Sequence, residues 1–140
     1  AGFLLNNEMG DFNAGPGLTT AEGLIGTDPN LAAPGKRMLS SMTPTILVKG
    51  GQPFLVAGCL GGRTIINTVL QVVLNTVDYG MNVEDALDAP RIHHQWLPDR
   101  IQYETNGLSP DTLALLRAWG HEMAPMEAQG EAQAIVYDAE

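Results

Sequence analysis

Two apolar strands, joined by a glycine turn and followed by a long apolar helix, constrain the fold of this chain more than any other feature. Residues 45–48 and 53–57 are apolar and β-prone, and the Lys-Gly-Gly-Gln segment between them favours a tight hairpin. Residues 64–79 carry apolar side chains on more than one helical stripe, so we expect this helix to be buried on much of its circumference. This order of elements predicts a layered α+β fold.

The rest of the sequence alternates between helix and strand patterns. A second helix is predicted at residues 82–87, capped by asparagine, and a third at residues 109–119, which opens with Ser-Pro. Residues 7–35 are rich in Gly, Pro and Asn, and so long an aperiodic connection is usually functional in a compact domain. We expect a single domain over residues 1–140. The further strands are predicted at residues 3–6, 100–104, 121–125 and 132–137.

The composition limits the classes of function. The chain has 140 residues, 44% of them hydrophobic, which is enough for one domain with a real core. Its net charge of -9 opposes extended contact with nucleic acid or anionic lipid, so we expect neither as a partner. Polar residues interrupt the longest apolar region, residues 64–77, which therefore predicts a core helix rather than a membrane span. The strand-like first residues suggest a cut from a longer precursor.

Gly61 and Gly62 lie between the second strand of the hairpin and the long helix. Glycines in this position leave backbone N–H groups unshielded and aligned with the positive end of the helix dipole, which suits an anion or a developing oxyanion. The pair also fits a simpler role, because glycine permits a tight strand-to-helix turn. Its interpretation as an oxyanion hole therefore depends on the neighbouring motifs.

Two further polar groups could bind the ends of an amino acid. Ser40 and Ser41 follow a Lys-Arg pair and precede Thr-Pro, so a turn there would let both hydroxyls donate to one carboxylate. Glu8 and Asp11 place two carboxylates in one short segment, which suits an ammonium group, acid–base chemistry or a hard cation. Taken alone, each group also fits a solvated loop. Together with the glycine pair, they describe a pocket for an amino-acid end beside acyl-transfer machinery.

Other interpretations compete with this one. Cys59 could act as a thiol nucleophile if a histidine served as its base, but a buried structural thiol is the simpler reading. Adjacent His93 and His94 would face opposite sides of a strand, so we expect no metal site there. Lys36 and Arg37 could bind phosphate, although the glycine segment lacks the lysine and hydroxyl of a P-loop. A non-catalytic subunit that docks through exposed sheet edges is a further alternative.

Four segments of the chain match the motifs of a known family. They are LLNNEM-x-DF at residues 4–12, PGKR-x-LSSM-x-PT at 34–45, G-x-x-GG at 58–62 and DAPR-x-HHQWLP at 88–98. In this order, they resemble the small subunit of the γ-glutamyltranspeptidase family. The resemblance covers nearly the whole chain, and the serine motif is specific.

The resemblance implies a fold, an activity and a partner. The fold is that of an N-terminal nucleophile hydrolase, a layered αββα sandwich, of which this chain is a part. The activity is cleavage of γ-glutamyl amides such as glutathione through a γ-glutamyl-enzyme intermediate. The partner is a large subunit cut from the same precursor, which supplies an arginine to the substrate carboxylate. No cofactor or metal is implied, and the location implied is periplasmic or extracellular.

The resemblance also assigns each motif to one part of the γ-glutamyl substrate. Glu8 and Asp11 would bind the α-amino group. Ser40 and Ser41 would bind the α-carboxylate. Gly61 and Gly62 would stabilise the tetrahedral oxyanion.

The chain also departs from the family pattern. In the family, the hydroxyl of the small subunit's first threonine is the nucleophile, and its own α-amine is the base. That threonine precedes the acidic motif by more residues than the seven found here before Glu8, so we expect this chain alone to be inactive. The family's C-terminal strand and glycine-rich tail are also expected beyond this sequence. Gly10 stands where an aspartate is common, and Cys59-Leu60 stands where a small residue and a proline usually precede the glycine pair.

Overall fold

The computed structural model describes residues 2–3, 5–13, 15–22 and 26–137. The chain forms two compact units, one made of Ala1–Ser40 and Gln95–Asp99 and the other of Ser41–His94 and Arg100–Glu140. Within the described ranges, every strand and every α-helix belongs to the second unit. The described part of the first unit contains irregular backbone and two short 3₁₀ helices, which are Glu8–Asp11 and Asp28–Asn30.

Six strands and three α-helices make up the regular structure of the described residues. In chain order they are β1 (Thr45–Lys49), β2 (Gln52–Leu60), α1 (Ile65–Val77), α2 (Val83–Asp88), β3 (Ile92–His93), β4 (Ile101–Glu104), α3 (Pro110–Ala118), β5 (Met123–Met126) and β6 (Glu131–Val136). A third 3₁₀ helix, Gly62–Thr64, leads directly into α1.

The first sheet is antiparallel and has β2 at its centre, between β1 and β6. The β1–β2 hairpin turns at Gly50 and Gly51, whose φ values are 59° and 82°. Two-residue hairpin loops of type I′ require positive φ at both central residues, which glycine adopts without steric cost. The glycine pair therefore fixes the register in which Lys49 pairs with Gln52.

Helix α1 covers one face of this sheet. Leu55 and Ala57 alternate along β2 and pack with Val69 of α1 in a buried cluster. Leu55 is fully buried, and burial of such a side chain stabilises the fold by about 2 kcal/mol. The strand alternation and the apolar stripe of the helix thus meet at one core.

The opposite face of the same sheet is apolar and exposed. Val56 pairs with Ile46 on one side and with Ile135 on the other, so these three residues form a row across the sheet. Their side chains are exposed by 42%, 65% and 70%, respectively. Such a row of β-branched residues is typical of a sheet face that packs against another layer.

The second sheet contains β3, β4 and β5, with β4 in the centre. Strand β3 is antiparallel to β4, whereas β5 is parallel to β4, and α3 makes the crossover between the two parallel strands. Gln71 of α1 connects the helix to β3. Its Nε2 donates to the Ile92 carbonyl at 2.9 Å, and its Oε1 accepts from the Ile92 N–H at 3.0 Å. This side-chain amide therefore satisfies both backbone groups of Ile92.

Most of the predicted elements are confirmed: the hairpin, the three helices, and the strands β4, β5 and β6. The predicted strand at residues 3–6 is wrong, because Phe3, Leu5 and Asn6 have irregular backbone; Leu4 lies outside the described residues. A strand needs a hydrogen-bonded neighbour, which apolar residues alone do not provide. The sequence does not predict β3, since two residues are too few to show alternation. In the part of the chain described, no helix is long and apolar enough to cross a membrane.

We expect Ser109→Ala to raise the pKa of Asp111 toward its ordinary value. Ser109 caps α3 by accepting from the Thr112 N–H at 3.3 Å, and a hydrogen bond from Ser109 is the main cause of the lowered Asp111 pKa. A lowered carboxyl pKa stabilises the fold above the unfolded-state pKa, and this contribution is lost as pH falls through the folded-state pKa. The stability difference between wild type and variant should therefore shrink in acid. NMR titration of the Asp111 carboxyl measures the shift. Ser109→Thr keeps the hydroxyl and is the control; equal Asp111 titration in both variants would contradict the assignment.

Candidate functional site

Glu8 and Asp11 begin and end the 3₁₀ helix Glu8–Asp11. Because a 3₁₀ helix has about three residues per turn, side chains three positions apart lie on the same side. The Oδ1 atom of Asn6 accepts from the Glu8 N–H at 3.2 Å. Glu8 is half-buried and Asp11 is exposed. The structure thus brings the two predicted carboxylates to one side of a single turn.

Asn30 joins this acidic turn to the segment before the serines. Its Nδ2 donates to the Asp11 carbonyl at 2.7 Å, and its Oδ1 accepts from the Leu39 N–H at 3.0 Å. The residue is only 4% exposed. Sequence reasoning missed Asn30 because it lies in an aperiodic loop, where the only local signal is the turn composition of Asp-Pro-Asn.

The two serines lie where one compact unit meets the other in sequence. Ser40 ends the longer segment of the first unit, and Ser41 begins the second unit. Ser40 is exposed and Ser41 is half-buried. The Thr43 hydroxyl donates to the Ser41 carbonyl at 3.0 Å. The ammonium of Lys36, a few residues before the serines, donates to the Leu31 carbonyl at 2.8 Å and so stabilises its own loop.

The predicted oxyanion glycines follow β2 and lie at the start of the 3₁₀ helix Gly62–Thr64, which leads into α1. Gly61 has a φ of 142° and Gly62 a φ of 59°, both in the region that favours glycine. The Gly61 carbonyl accepts from the Thr64 N–H at 3.3 Å and from the Thr64 hydroxyl at 3.0 Å. The C=O and N–H of a trans peptide point in opposite directions, so these bonds direct the Gly62 N–H away from Thr64. Among the described residues, the backbone hydrogen bonds of turns, loops and caps include none donated by the Gly61 or Gly62 N–H.

Gly130, just before β6, supports this turn. Gly130 has a φ of 66°, and a Cβ there would lie 2.6 Å from both the Cys59 Sγ and the Leu60 carbonyl oxygen. A Cβ on Gly61 would lie 3.0 Å from the Cα of Gly130. These distances are shorter than van der Waals contact between heavy atoms. The two backbones therefore approach each other closely only because both residues are glycine.

Glu104 holds the segment that precedes Gly130. Its Oε1 accepts from the Gln129 N–H at 2.6 Å, and its Oε2 accepts from the Arg91 N–H at 3.1 Å. The Arg91 guanidinium lies 3.5 Å from Oε1, and the two side chains are 10% and 13% exposed. Because each carboxylate oxygen accepts from a different backbone N–H, Glu104 connects two loops that are distant in sequence. The sequence carries no local signal for this connection.

The competing interpretation of Cys59 finds no support. Its thiol donates to the Leu60 carbonyl at 2.8 Å, and its side chain packs against the buried cluster under α1. His93 ends β3 and is 2% exposed, whereas His94 follows the strand and is exposed. Within the described ranges, no three His, Cys, Asp or Glu side chains are grouped to hold a metal ion. The contacts of Cys59 therefore fit a structural thiol.

Comparison with known proteins identifies the family. The family model described as gamma-glutamyltranspeptidase matches residues 1–140. The chain belongs to the γ-glutamyltranspeptidase family. A glutathione hydrolase proenzyme of Escherichia coli (strain K12) is 55% identical over 136 residues, which cover 97% of this chain and 23% of that protein. The chain spans about a quarter of the length of the curated relatives it matches.

Solved structures of γ-glutamyltranspeptidases have the same fold. An acivicin-inhibited γ-glutamyltranspeptidase matches with a TM-score of 0.91 and 46% identity, covering 100% of this chain and 74% of that chain. A mutant of Helicobacter pylori γ-glutamyltranspeptidase matches with a TM-score of 0.88 and 47% identity, covering 97% and 73%. These likenesses confirm the α+β fold of an N-terminal nucleophile hydrolase, present here in part.

The predicted site residues form three groups. The structure brings the two carboxylates together on one turn, and the two glycines together between β2 and α1. It also connects the acidic turn to the residue before Ser40 through Asn30. The convergence of all three groups on one substrate stays a prediction.

We expect Glu104→Gln to destabilise the protein by about 3 kcal/mol, the cost of breaking a mostly buried charge pair. Glutamine has one acceptor oxygen, so either the Gln129 or the Arg91 N–H loses its partner, and the Arg91 charge is left uncompensated. Thermal unfolding of the full-length protein measures the effect. Glu131→Gln makes the same change at an exposed position of β6 and is the matched control. Equal unfolding temperatures for the two variants would contradict the role of Glu104.

Proposed function

We propose that this chain supplies substrate recognition and the oxyanion hole of a γ-glutamyltransferase or glutathione hydrolase. The observation that carries the proposal is the glycine turn, in which Thr64 donates two hydrogen bonds to the Gly61 carbonyl and the Gly62 N–H of the same peptide is directed away from Thr64. Donors fixed in this way stabilise the negative charge that develops on a carbonyl oxygen during acyl transfer. The name glutathione hydrolase proenzyme, carried by the relatives, supports a γ-glutamyl amide as the substrate.

The proposed reaction proceeds in two acyl transfers. A hydroxyl nucleophile supplied by the remainder of the protein attacks the γ-carbonyl carbon, and the carbonyl oxygen becomes an oxyanion beside Gly61 and Gly62. Collapse of this intermediate breaks the C–N bond, the amine leaves with a proton, and a γ-glutamyl ester remains on the enzyme. Water or an acceptor amine then attacks the ester through a second oxyanion, which restores the hydroxyl.

The other two groups fit the two charged substituents on the α-carbon of the γ-glutamyl moiety. Glu8 and Asp11, on one side of their turn, offer carboxylates to its α-ammonium group. Ser40 and Ser41 offer hydroxyl donors to its α-carboxylate. The α-ammonium and the α-carboxylate carry opposite charges, so a site that binds both distinguishes a γ-glutamyl group from a simple acyl group.

The partner in this proposal is the rest of the same precursor. The chain spans about a quarter of its curated relatives, and their names describe proenzymes. The exposed row formed by Val56, Ile46 and Ile135 supplies an apolar surface on which a further layer of a sandwich would pack. A large subunit covering this row would complete the αββα arrangement.

We expect the double variant Ser40→Ala and Ser41→Ala, made in the full-length protein, to lose substrate capture. Loss of hydrogen bonds to a charged carboxylate should weaken transition-state stabilisation by about 2 kcal/mol or more, seen as a lower kcat/KM that results mainly from a higher KM. Initial rates with a γ-glutamyl anilide measure this. Ser109→Ala, at the cap of α3, is the control. Unchanged kinetics in the double variant would discard the proposed role of the two serines.

We expect Thr64→Val to lower kcat with little change in KM, because the Gly61 carbonyl loses its hydroxyl partner and the Gly62 amide is held less firmly. A loss of about tenfold is expected, smaller than for removal of an oxyanion donor itself. Thr64→Ser keeps the hydroxyl and should retain most of the rate. The same kcat in the Val and Ser variants would show that the hydroxyl does not position the oxyanion hole.

A further inference from the structure

We propose that Asn30 is a positioning residue that fixes the spacing between the carboxylates that bind the substrate ammonium and the serine segment that binds its carboxylate. The inference deepens the proposed function and rests on it. Both segments belong to the first compact unit: the acidic turn ends at Asp11, and the serine segment reaches Ser40 through Leu39. They are far apart in sequence, so the covalent chain alone does not set their spacing.

The side chain of Asn30 contacts both segments. Its Nδ2 donates to the Asp11 carbonyl at 2.7 Å and to the Asn13 Oδ1 at 3.1 Å. Its Oδ1 accepts from the Leu39 N–H at 3.0 Å, one peptide unit before Ser40. The two ends of one planar amide therefore connect the two segments directly.

The backbone of Asn30 is fixed as well. Its N–H donates to the Thr27 carbonyl at 3.1 Å, and its carbonyl accepts from the Asn13 N–H at 3.0 Å. Every polar group of a residue that is 4% exposed thus has a partner. Rotation of the side chain would leave buried donors and acceptors unpaired, which is energetically unfavourable. The amide is consequently held in one orientation.

This arrangement selects asparagine by its chemistry. The position needs two donors on one side and an acceptor on the other, which an amide provides and a carboxylate does not. In Asn30→Asp, one carboxylate oxygen still accepts from the Leu39 N–H. The other oxygen faces two acceptors, the Asp11 carbonyl and the Asn13 Oδ1, and has no hydrogen to donate to them. The substitution therefore releases the acidic turn and leaves the serine side connected.

The test uses Asn30→Asp in the full-length protein, with two γ-acyl anilides as substrates. For the γ-glutamyl anilide, KM should rise about tenfold, the equivalent of one charge-assisted hydrogen bond, while kcat changes much less. For the glutaric acid anilide, which lacks the α-amino group, KM should not change. Asn106→Asp adds the same charge at an exposed turn and should leave both KM values unchanged.

Coupling to Asp11 separates positioning from general stability. If Asn30 acts through the acidic turn, Asp11→Asn combined with Asn30→Asp should raise KM little beyond Asp11→Asn alone. A merely structural role would lower the unfolding temperature and the active fraction, would act on both substrates alike, and would overturn the inference. Asn30→Ala removes both connecting hydrogen bonds without placing a charge beside the Asp11 carbonyl and is the milder second variant. If Asn30→Asp fails to fold, an unchanged KM for the γ-glutamyl anilide in Asn30→Ala overturns the inference.

The outcomes also distinguish this inference from the proposed function. If Asp11→Asn raises KM and Asn30→Asp does not, Asn30 has no positioning role, while the function stands. If neither Asp11→Asn nor the double serine variant raises KM for the γ-glutamyl anilide, the proposed function fails and the inference fails with it.

Discussion

Irregular backbone must satisfy its hydrogen bonds without a helix or a sheet, and this requirement shapes the candidate site of the protein. The segments that carry the predicted site residues are loops and turns, so their N–H and C=O groups need partners from elsewhere. Asn30 provides partners for the acidic turn and the serine segment, and Glu104 provides them for the loop before Gly130. Thr64 does the same for the glycine turn. The order of these segments therefore depends on a few polar side chains, of which Asn30 is buried and Glu104 and Thr64 are half-buried.

The second compact unit provides the platform on which the glycine turn is built. Strand β2 and helix α1 share the buried cluster around Leu55, and the turn between them contains Gly61. Close approach of Gly130 from the β6 side limits how the turn can move. A rigid platform of this kind is what a preorganised oxyanion hole requires, since donors that are already in place need not reorganise during the reaction.

Local patterns of the sequence predict the regular elements well. Asn82 and Ser109 cap their helices as expected, because capping is decided within one turn of the chain. The Gly50-Gly51 hairpin is likewise a local matter of positive φ. The strand predicted at residues 3–6 is wrong, since pairing depends on a distant partner. Asn30 and Glu104 were not predicted for the same reason, because each forms hydrogen bonds with residues far away in the sequence.

By itself, the sequence determined the family, the helices with their caps, the hairpin, and the residue types suited to a zwitterionic γ-glutamyl group. These properties depend on side-chain chemistry and on interactions within a few residues. Only the tertiary structure decided that α1 covers one face of the first sheet, that Gly130 lies against Gly61, and that a single buried amide connects Asp11 to Leu39. Contacts of this kind form only when distant segments meet, because the hydrogen-bond needs of a buried loop are met by whichever polar groups the fold brings beside it.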